Sequence, residues 1–394
     1  MAIAYRMLAK IFGAADGVWP QRLLPSLAPE KILRVAPDLS GAARAGLVRL
    51  LESVAAESEL SLFGRLSLRW DVQRLMQNAA GIAAAHRARP DLGASPVAAP
   101  IFILGLPRSG TSFLHALLAQ DADNSVPRVW QTIYPLPHQA GAAAVRTVDR
   151  QLRMFDAFAP GFAALHPMDA DSPQECSEIT AHVFQSLRFD TTFRVPGYQA
   201  WLERHGHADA FSFHKRFLQV LQDGVPARWV LKSPDHTFTI DAILATYPDA
   251  RFVVVHRDPM AVLASNARLT EILRKPFLRN VDAQEIGAQE ARRWTEGANL
   301  LLEFDQRRDV PAARKLHLHH DDLVAAPLAA VAAIYAQFDM PLSPQAASAM
   351  SAYIAVRPNG GYAKHAPYTL DAFKISAELL RPQFAPYVST YCRS

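Results

Sequence analysis

The sequence predicts an α/β protein with a central parallel sheet, preceded by a helical region. Three observations carry this. Short apolar runs alternate with helix-patterned stretches, turns rich in Gly, Pro, Asp and Ser follow those runs, and the opening quarter is dominated by Ala, Leu and Arg at helical spacing. At 394 residues, 50% apolar, 20% charged and 9% aromatic, the chain can bury a large core and is not a disordered polymer. Its length suits two or three domains, or one large α/β domain with a helical annex.

Residues 1–95 read as helical, with apolar residues recurring every three or four positions from Leu47 through Leu75. Pro90 and the segment GASPVAAP read as the end of that region and a hinge into the next. From residue 96 onward the pattern changes. Ile101-Phe102-Ile103-Leu104 reads as a buried strand that runs into Gly105-Leu106-Pro107-Arg108-Ser109-Gly110 and then a helix from Thr111. Further strands are expected at Trp229–Leu231, Arg251–His256 and Lys315–Leu318, followed by helices at about 236–246, from Met260 and after Pro327. Such alternation implies right-handed crossovers and a parallel sheet. The stretch about 130–225, rich in Pro, His and aromatics, reads as an irregular insertion above the C-terminal strand edge, where open sheets bind ligands.

Several classes are excluded or disfavoured. No apolar run reaches the ~18 residues of a membrane span, and the first twenty residues lack the order of a signal peptide. Two cysteines, Cys176 and Cys392, can form neither a disulfide framework nor a thiolate zinc cluster, so the cytosol is the expected compartment. Net charge is +4; residues 1–99 hold 12 Lys/Arg against 8 Asp/Glu, and the remainder balances at 29 against 29. That gives no broad nucleic-acid surface. The N-terminal excess reads most plainly as a solvated basic helix face, with contact to membrane lipid or an acidic partner as the other reading.

The turn after the first strand invites comparison with the phosphate loop GxxxxGK[ST]. Gly105 and Gly110 have its spacing and Ser112 its hydroxyl, but Thr111 stands where the lysine belongs. That disfavours triphosphate hydrolysis. The cation is Arg108, whose guanidinium can fork onto an oxyanion at a helix N-terminus. A second anion pocket follows the strongest strand, where Arg257 is trailed eight positions later by Ser265; Asp258-Pro259 reads as a helix cap. Two anion pockets on one sheet edge suit a nucleotide phosphorylated at two separate places.

PRSGTSFLHALL, with FVVVHRDPMAVLASNARL far downstream, resembles the sulfotransferases that use 3′-phosphoadenosine-5′-phosphosulfate (PAPS), in the bacterial branch with PRSGT loops related to tyrosylprotein sulfotransferases. The resemblance spans about 60–385 and includes LKSPDH, DDLVAAP and HAPYTLDAF. It implies a P-loop-like three-layer fold over 96–394, with the acceptor site in the 130–225 insertion. It also implies sulfuryl transfer from PAPS to a small-molecule or peptide hydroxyl, with release of 3′-phosphoadenosine-5′-phosphate (PAP) and no metal. Arg108, Ser109, Gly110, Thr111 and Ser112 would cradle the 5′-phosphosulfate, Arg257 and Ser265 would hold the 3′-phosphate, and Lys232 would lie near the transferred group. The run Arg357-Pro358-Asn359-Gly360-Gly361 with Lys364 loosely matches a basic loop over the 3′-phosphate.

An acceptor hydroxyl needs a general base. Relatives of this branch often carry a Trp-Glu pair after the first helix; here Trp130-Gln131 stands there, and an amide is no proton acceptor. His236 is the leading candidate, with Glu175 and Glu178 in reserve, against a structural role for each. His317, His319, His320 and Asp321 could suggest metal, but the acids fall on the adjoining turn. Trp130, Tyr134, Phe184, Phe189 and Tyr198 read as core packing rather than an acceptor pocket. Two other readings stay open: a P-loop kinase-like phosphotransferase and a non-catalytic PAP-binding protein.

Overall fold

Five parallel strands form one sheet in the order β2-β3-β1-β4-β5: β1 is Ile101–Gly105, β2 Asn124–Ser125, β3 Arg228–Lys232, β4 Arg251–His256 and β5 Lys315–His319. The structure, a computed structural model, describes residues 2–16, 18, 24–34, 39–356 and 368–393. The segment holding Arg357, Gly361 and Lys364 lies outside the described residues. Four of the five strands coincide with the expected ones to within a residue or two. β2, only two residues long, is too short to leave a pattern.

The chain divides into two compact units, and sequence order does not follow the division. The helical unit comprises Met1–Pro96, Pro127–Val225 and Thr270–Val281; the sheet unit comprises Val97–Val126, Pro226–Leu269 and Asp282–Ser394.

In the sheet unit every residue of β1 is buried, as a central parallel strand covered on both faces requires. Alternation sorts its side chains. Ile101 and Ile103 join Leu114, Leu117, Val253, Val331 and Met350 in one apolar cluster. Phe102, with the opposite orientation, meets Tyr247 at 5.6 Å and Phe252 at 6.0 Å between ring centroids. Emptying a site such as Phe102 costs about 3–5 kcal/mol. From β1 the chain passes β3 to reach β2, returns to β3, and then crosses β1 to β4 and β5. The winding thus changes direction beside β1, and ligands of open α/β sheets bind at such a crevice.

In the helical unit the apolar stretch expected from Leu47 through Leu75 is two helices, Gly41–Glu57 and Leu62–Ala88. Ser61 interrupts it, because its Oγ accepts the Gly64 N–H at 2.9 Å and starts a new helix. Pro90 follows the end of the second helix at Ala88 and starts the short helix Pro90–Ala94.

The stretch 130–225 is not irregular. It contains the helices Ala142–Phe158, Pro196–His205 and Ala208–Gln222, with Pro196 and Gly206 at helix ends. The prolines and glycines punctuate short helices. Phe184, Phe189 and Tyr198 are buried against one another, and Trp130 and Tyr134 pack on Val129 and Val148, so these aromatics are core. Among the described residues no helix is long and apolar enough to cross a membrane, and no group of three or more His, Cys, Asp or Glu could hold a metal ion.

Buried histidines tie folding to pH. Burial pushes His182 and His214 down to about 3 and His256 to about 2. Each therefore stays neutral in the folded chain while the unfolded chain takes up a proton below about pH 6.5. Stability must fall as pH drops from about 6.5 toward 4, by up to about 1.4 kcal/mol per pH unit for each histidine. Urea midpoints should be clearly lower at about pH 5 than at pH 7; equal midpoints would refute the neutral, buried assignment.

Candidate active site

β1 ends where two backbones come close. Gly105 has φ +138°, and a Cβ on it would lie 2.4 Å from the carbonyl oxygen of Val255 on β4. Only glycine fits. The chain then turns through Leu106–Gly110, closed by the Ser109 hydroxyl donating to Leu106 O at 2.6 Å. Arg108 sits in the left-handed region at φ 65°, a conformation that costs a non-glycine residue roughly 1–3 kcal/mol and clusters at functional sites. Gly110 (φ +95°) caps the helix Thr111–Leu118, whose first N–H groups face the turn.

Three cations converge on this turn. Arg257, just past β4, donates from Nη1 to the Arg108 carbonyl oxygen at 2.7 Å. Arg108 Nε donates to Ser265 Oγ at 3.2 Å, on the helix Pro259–Arg274. Lys232, at the end of β3 and only 3% exposed, donates from Nζ to Ser112 Oγ at 3.0 Å. Register explains the last contact: Lys232 lies opposite Ile103 on β1, so its amine emerges beside the helix that β1 feeds. Asp258 Oδ1 accepts the Met260 N–H at 2.8 Å, the expected cap.

The electrostatics suit an anion. Burial lowers the pKa of Arg108, and the Arg257 charge lowers it further, with Tyr368 opposing. Burial also lowers Arg257, against Asp321 and Asp258. Both stay protonated at neutral pH, and each raises the positive potential at the other.

The structure thus brings Arg108, Ser109, Gly110, Thr111, Ser112, Lys232, Arg257 and Ser265 to one sheet edge. His236 is placed differently. It is 1% exposed in the 3₁₀ turn Pro234–Phe238, and its ring meets the edge of Phe102 with centroids 5.0 Å apart. In the helical unit, Gln131 Oε1 accepts the Arg128 N–H at 2.9 Å at the start of the helix Val129–Ile133, which is a capping role. Glu178 is held by Arg188 Nη1 at 2.7 Å, and Glu175 precedes the helix Cys176–Thr180.

Two supports had no sequence signal as such. His320 Nδ1 donates to Ser109 O at 3.0 Å and thereby fixes the turn. Behind Arg257, the His256 ring contacts Tyr387 Oη and His317 Nδ1, each at 2.8 Å, and stacks on Tyr391 at 4.0 Å. The Arg257 backbone also bonds Tyr387. These contacts join residues from 61 to 211 positions apart.

A parallel sheet with a glycine-framed anion turn after β1 and a basic pocket after β4 defines a P-loop-like group-transfer fold. A family model described as "Sulfotransferase family" matches residues 100–344, and the chain belongs to that family. It is 26% identical over 243 residues to the omega-hydroxy-beta-dihydromenaquinone-9 sulfotransferase Stf3 of Mycobacterium tuberculosis and of Mycobacterium bovis, over 58% of this chain and 59% of theirs. The match thus spans less than two thirds of those relatives' length. Among solved structures, sulfotransferase STF9 from Mycobacterium avium superposes with TM-score 0.81 at 26% identity, covering 93% of this chain and 96% of that one. Sulfotransferase STF1 from Mycobacterium tuberculosis gives 0.78 at 27%, covering 91% and 97%.

Gly105→Ala tests the framing of the site. The new methyl meets a backbone carbonyl that cannot rotate away, so the substitution should cost about 2–4 kcal/mol in denaturant unfolding and loosen the turn. Wild-type stability would refute the close approach.

Proposed function

We propose that the chain transfers a sulfuryl group from PAPS to a hydroxyl of a small molecule and releases PAP. The single observation that carries this is the cationic arc: Arg257 on the Arg108 carbonyl, Arg108 on Ser265, and Lys232 on Ser112, around one helix N-terminus. Its donor set, three cations, the hydroxyls of Ser112 and Ser265 and the first N–H groups of the helix Thr111–Leu118, fits a doubly phosphorylated nucleotide. When bound, PAPS supplies a sulfuryl group whose bond to the 5′-phosphate breaks as a bond to the acceptor oxygen forms.

The chain's own residues bind, orient and move a proton. Ser109, Gly110, Thr111 and Ser112 would hold the 5′ end by backbone N–H and hydroxyl donors, with Arg108 neutralising charge. Arg257 and Ser265 would hold the 3′-phosphate. Lys232, its amine held at the mouth by Ser112, would stabilise negative charge growing on the leaving phosphate. His236 would accept the acceptor's proton. In Stf3 the named acceptor is an omega-hydroxy-beta-dihydromenaquinone-9; a hydroxylated small molecule is the class proposed for this chain. The free thiols Cys176 and Cys392 suit a reducing cytosol.

Calorimetry provides the first test. PAP should bind in the micromolar range and ATP with magnesium far more weakly; comparable binding would favour a phosphotransferase. Tight PAP binding without label transfer from radiolabelled PAPS to any of a broad hydroxyl panel would favour a non-catalytic binding protein. Arg257→Ala should weaken PAP by roughly 30-fold, about 2 kcal/mol, and an analogue without the 3′-phosphate much less. Equal losses would reject the assignment of Arg257.

The base has its own test. His236→Gln should lower kcat by about 10²–10⁴-fold and leave PAP affinity within about twofold. If PAP affinity falls as far as turnover, the ring's packing on Phe102 is its role and the base lies elsewhere.

A further inference from the structure

We propose that the helix Ala2–Ala15 docks on an anionic lipid bilayer. This goes beyond the transfer reaction and does not depend on it. The helix, AIAYRMLAKIFGAA, is apolar on both faces. Its inner face carries Tyr5, Leu8 and Phe12, half-buried at helical spacing; the Phe12 ring meets Phe63 at 6.0 Å and Phe158 at 5.7 Å, edge-on to both. The helix therefore has its packing partners without its outer face.

That outer face is where the apolar side chains are out of place. Ile3, Met7 and Ile11, each four positions from the next, are 85%, 65% and 56% exposed, and form a ridge that helical geometry keeps on one side. Arg6 and Lys10, both exposed, run beside the ridge, and the helix contains no acid. Val18 follows at 78% exposed. Scattered exposed apolar residues need no explanation, but an aligned ridge flanked only by cations does.

Charge and size choose the occupant. A second copy of the chain, docked through a two-fold axis, would set Arg6 and Lys10 against the same cations. Three ridge side chains also fall well short of the ~800 Å² per partner that a stable protein interface buries. A bilayer asks for neither. The ridge enters the acyl boundary from one side, while the cations meet lipid phosphates a short distance above, as in helices that lie in the membrane plane. Each such cation is worth about fivefold in partitioning, and the contribution fades with salt.

Co-sedimentation of the full chain with unilamellar vesicles tests this. The chain should pellet with vesicles of phosphatidylcholine containing about 30% phosphatidylglycerol. It should partition at least about tenfold less onto pure phosphatidylcholine, or onto the anionic vesicles at about 0.5 M salt. Ile3→Ser/Met7→Ser/Ile11→Ser should abolish partitioning, and Arg6→Gln/Lys10→Gln should weaken it by roughly 25-fold. Both variants should keep the wild-type circular dichroism spectrum and urea midpoint, which separates this outcome from misfolding and from any failure of the sulfuryl-transfer reading. Three results overturn the proposal: no wild-type partitioning onto anionic vesicles, equal partitioning of the serine variant, or a dimer mass in light scattering that the serine variant abolishes. The last would make the ridge a self-interface.

Discussion

One hydrogen bond organises the site: the Arg257 guanidinium on the Arg108 carbonyl oxygen, at 2.7 Å. Two guanidiniums brought together at a sheet edge repel each other, and each is further disfavoured by burial. Arg257 holds Arg108 through its neutral backbone carbonyl. That carbonyl sits on a residue in the left-handed region, so the strain at Arg108 and the clasp by Arg257 belong to one arrangement. The close approach of β1 to β4 at Gly105 makes it geometrically possible. The result is a standing excess of positive potential at a helix N-terminus, which an anion relieves.

The elements behind the clasp keep that excess from becoming self-defeating. His256 lies directly before Arg257, and an imidazolium there would add a further positive charge. Burial holds it neutral, with a pKa near 2, and the nearby His317 and His319 push in the same direction. Its ring is fixed by Tyr387 and stacked on Tyr391, both on the helix Ala377–Tyr391. The C-terminal helix thus positions the arginine through its neighbour and through the Arg257 backbone, without adding charge. His320 does the same for the turn, spending its Nδ1 proton on the Ser109 carbonyl.

How much of this the sequence discloses follows from the range of each interaction. β1, β3 and β4 are legible as short runs that are mostly apolar because they are buried, and β5 only as the alternation of Leu316 and Leu318 on a half-buried edge strand. The turn is legible because its glycines and hydroxyls lie close together in sequence. Arg257 with Ser265 is legible as a strand end plus two helical turns. The segment 130–225 misleads, since Pro196 and Gly206 signal breaks equally well whether the pieces between are loops or short helices. The split at Ser61 hides inside an unbroken apolar period. His320, Tyr387 and the capping role of Gln131 depend on what lies opposite in space, and no local pattern encodes that.

The missing loop lysine is the feature that most constrains the chemistry. Thr111, where that lysine would stand, is 4% exposed and carries no charge. The charge arrives instead from a neighbouring strand, through Lys232 in register with Ile103, and reaches Ser112 one position further along. A lysine carried by the loop travels with a polyphosphate chain wrapped in that loop. An amine rooted on β3 is fixed to the sheet and addresses one point at the helix mouth. Arg257, just past β4, lies on the other side of β1. On the proposed reading, a ligand that engages both carries separated negative groups rather than a linear run of them, as a nucleotide with charge at its 3′ and 5′ positions does.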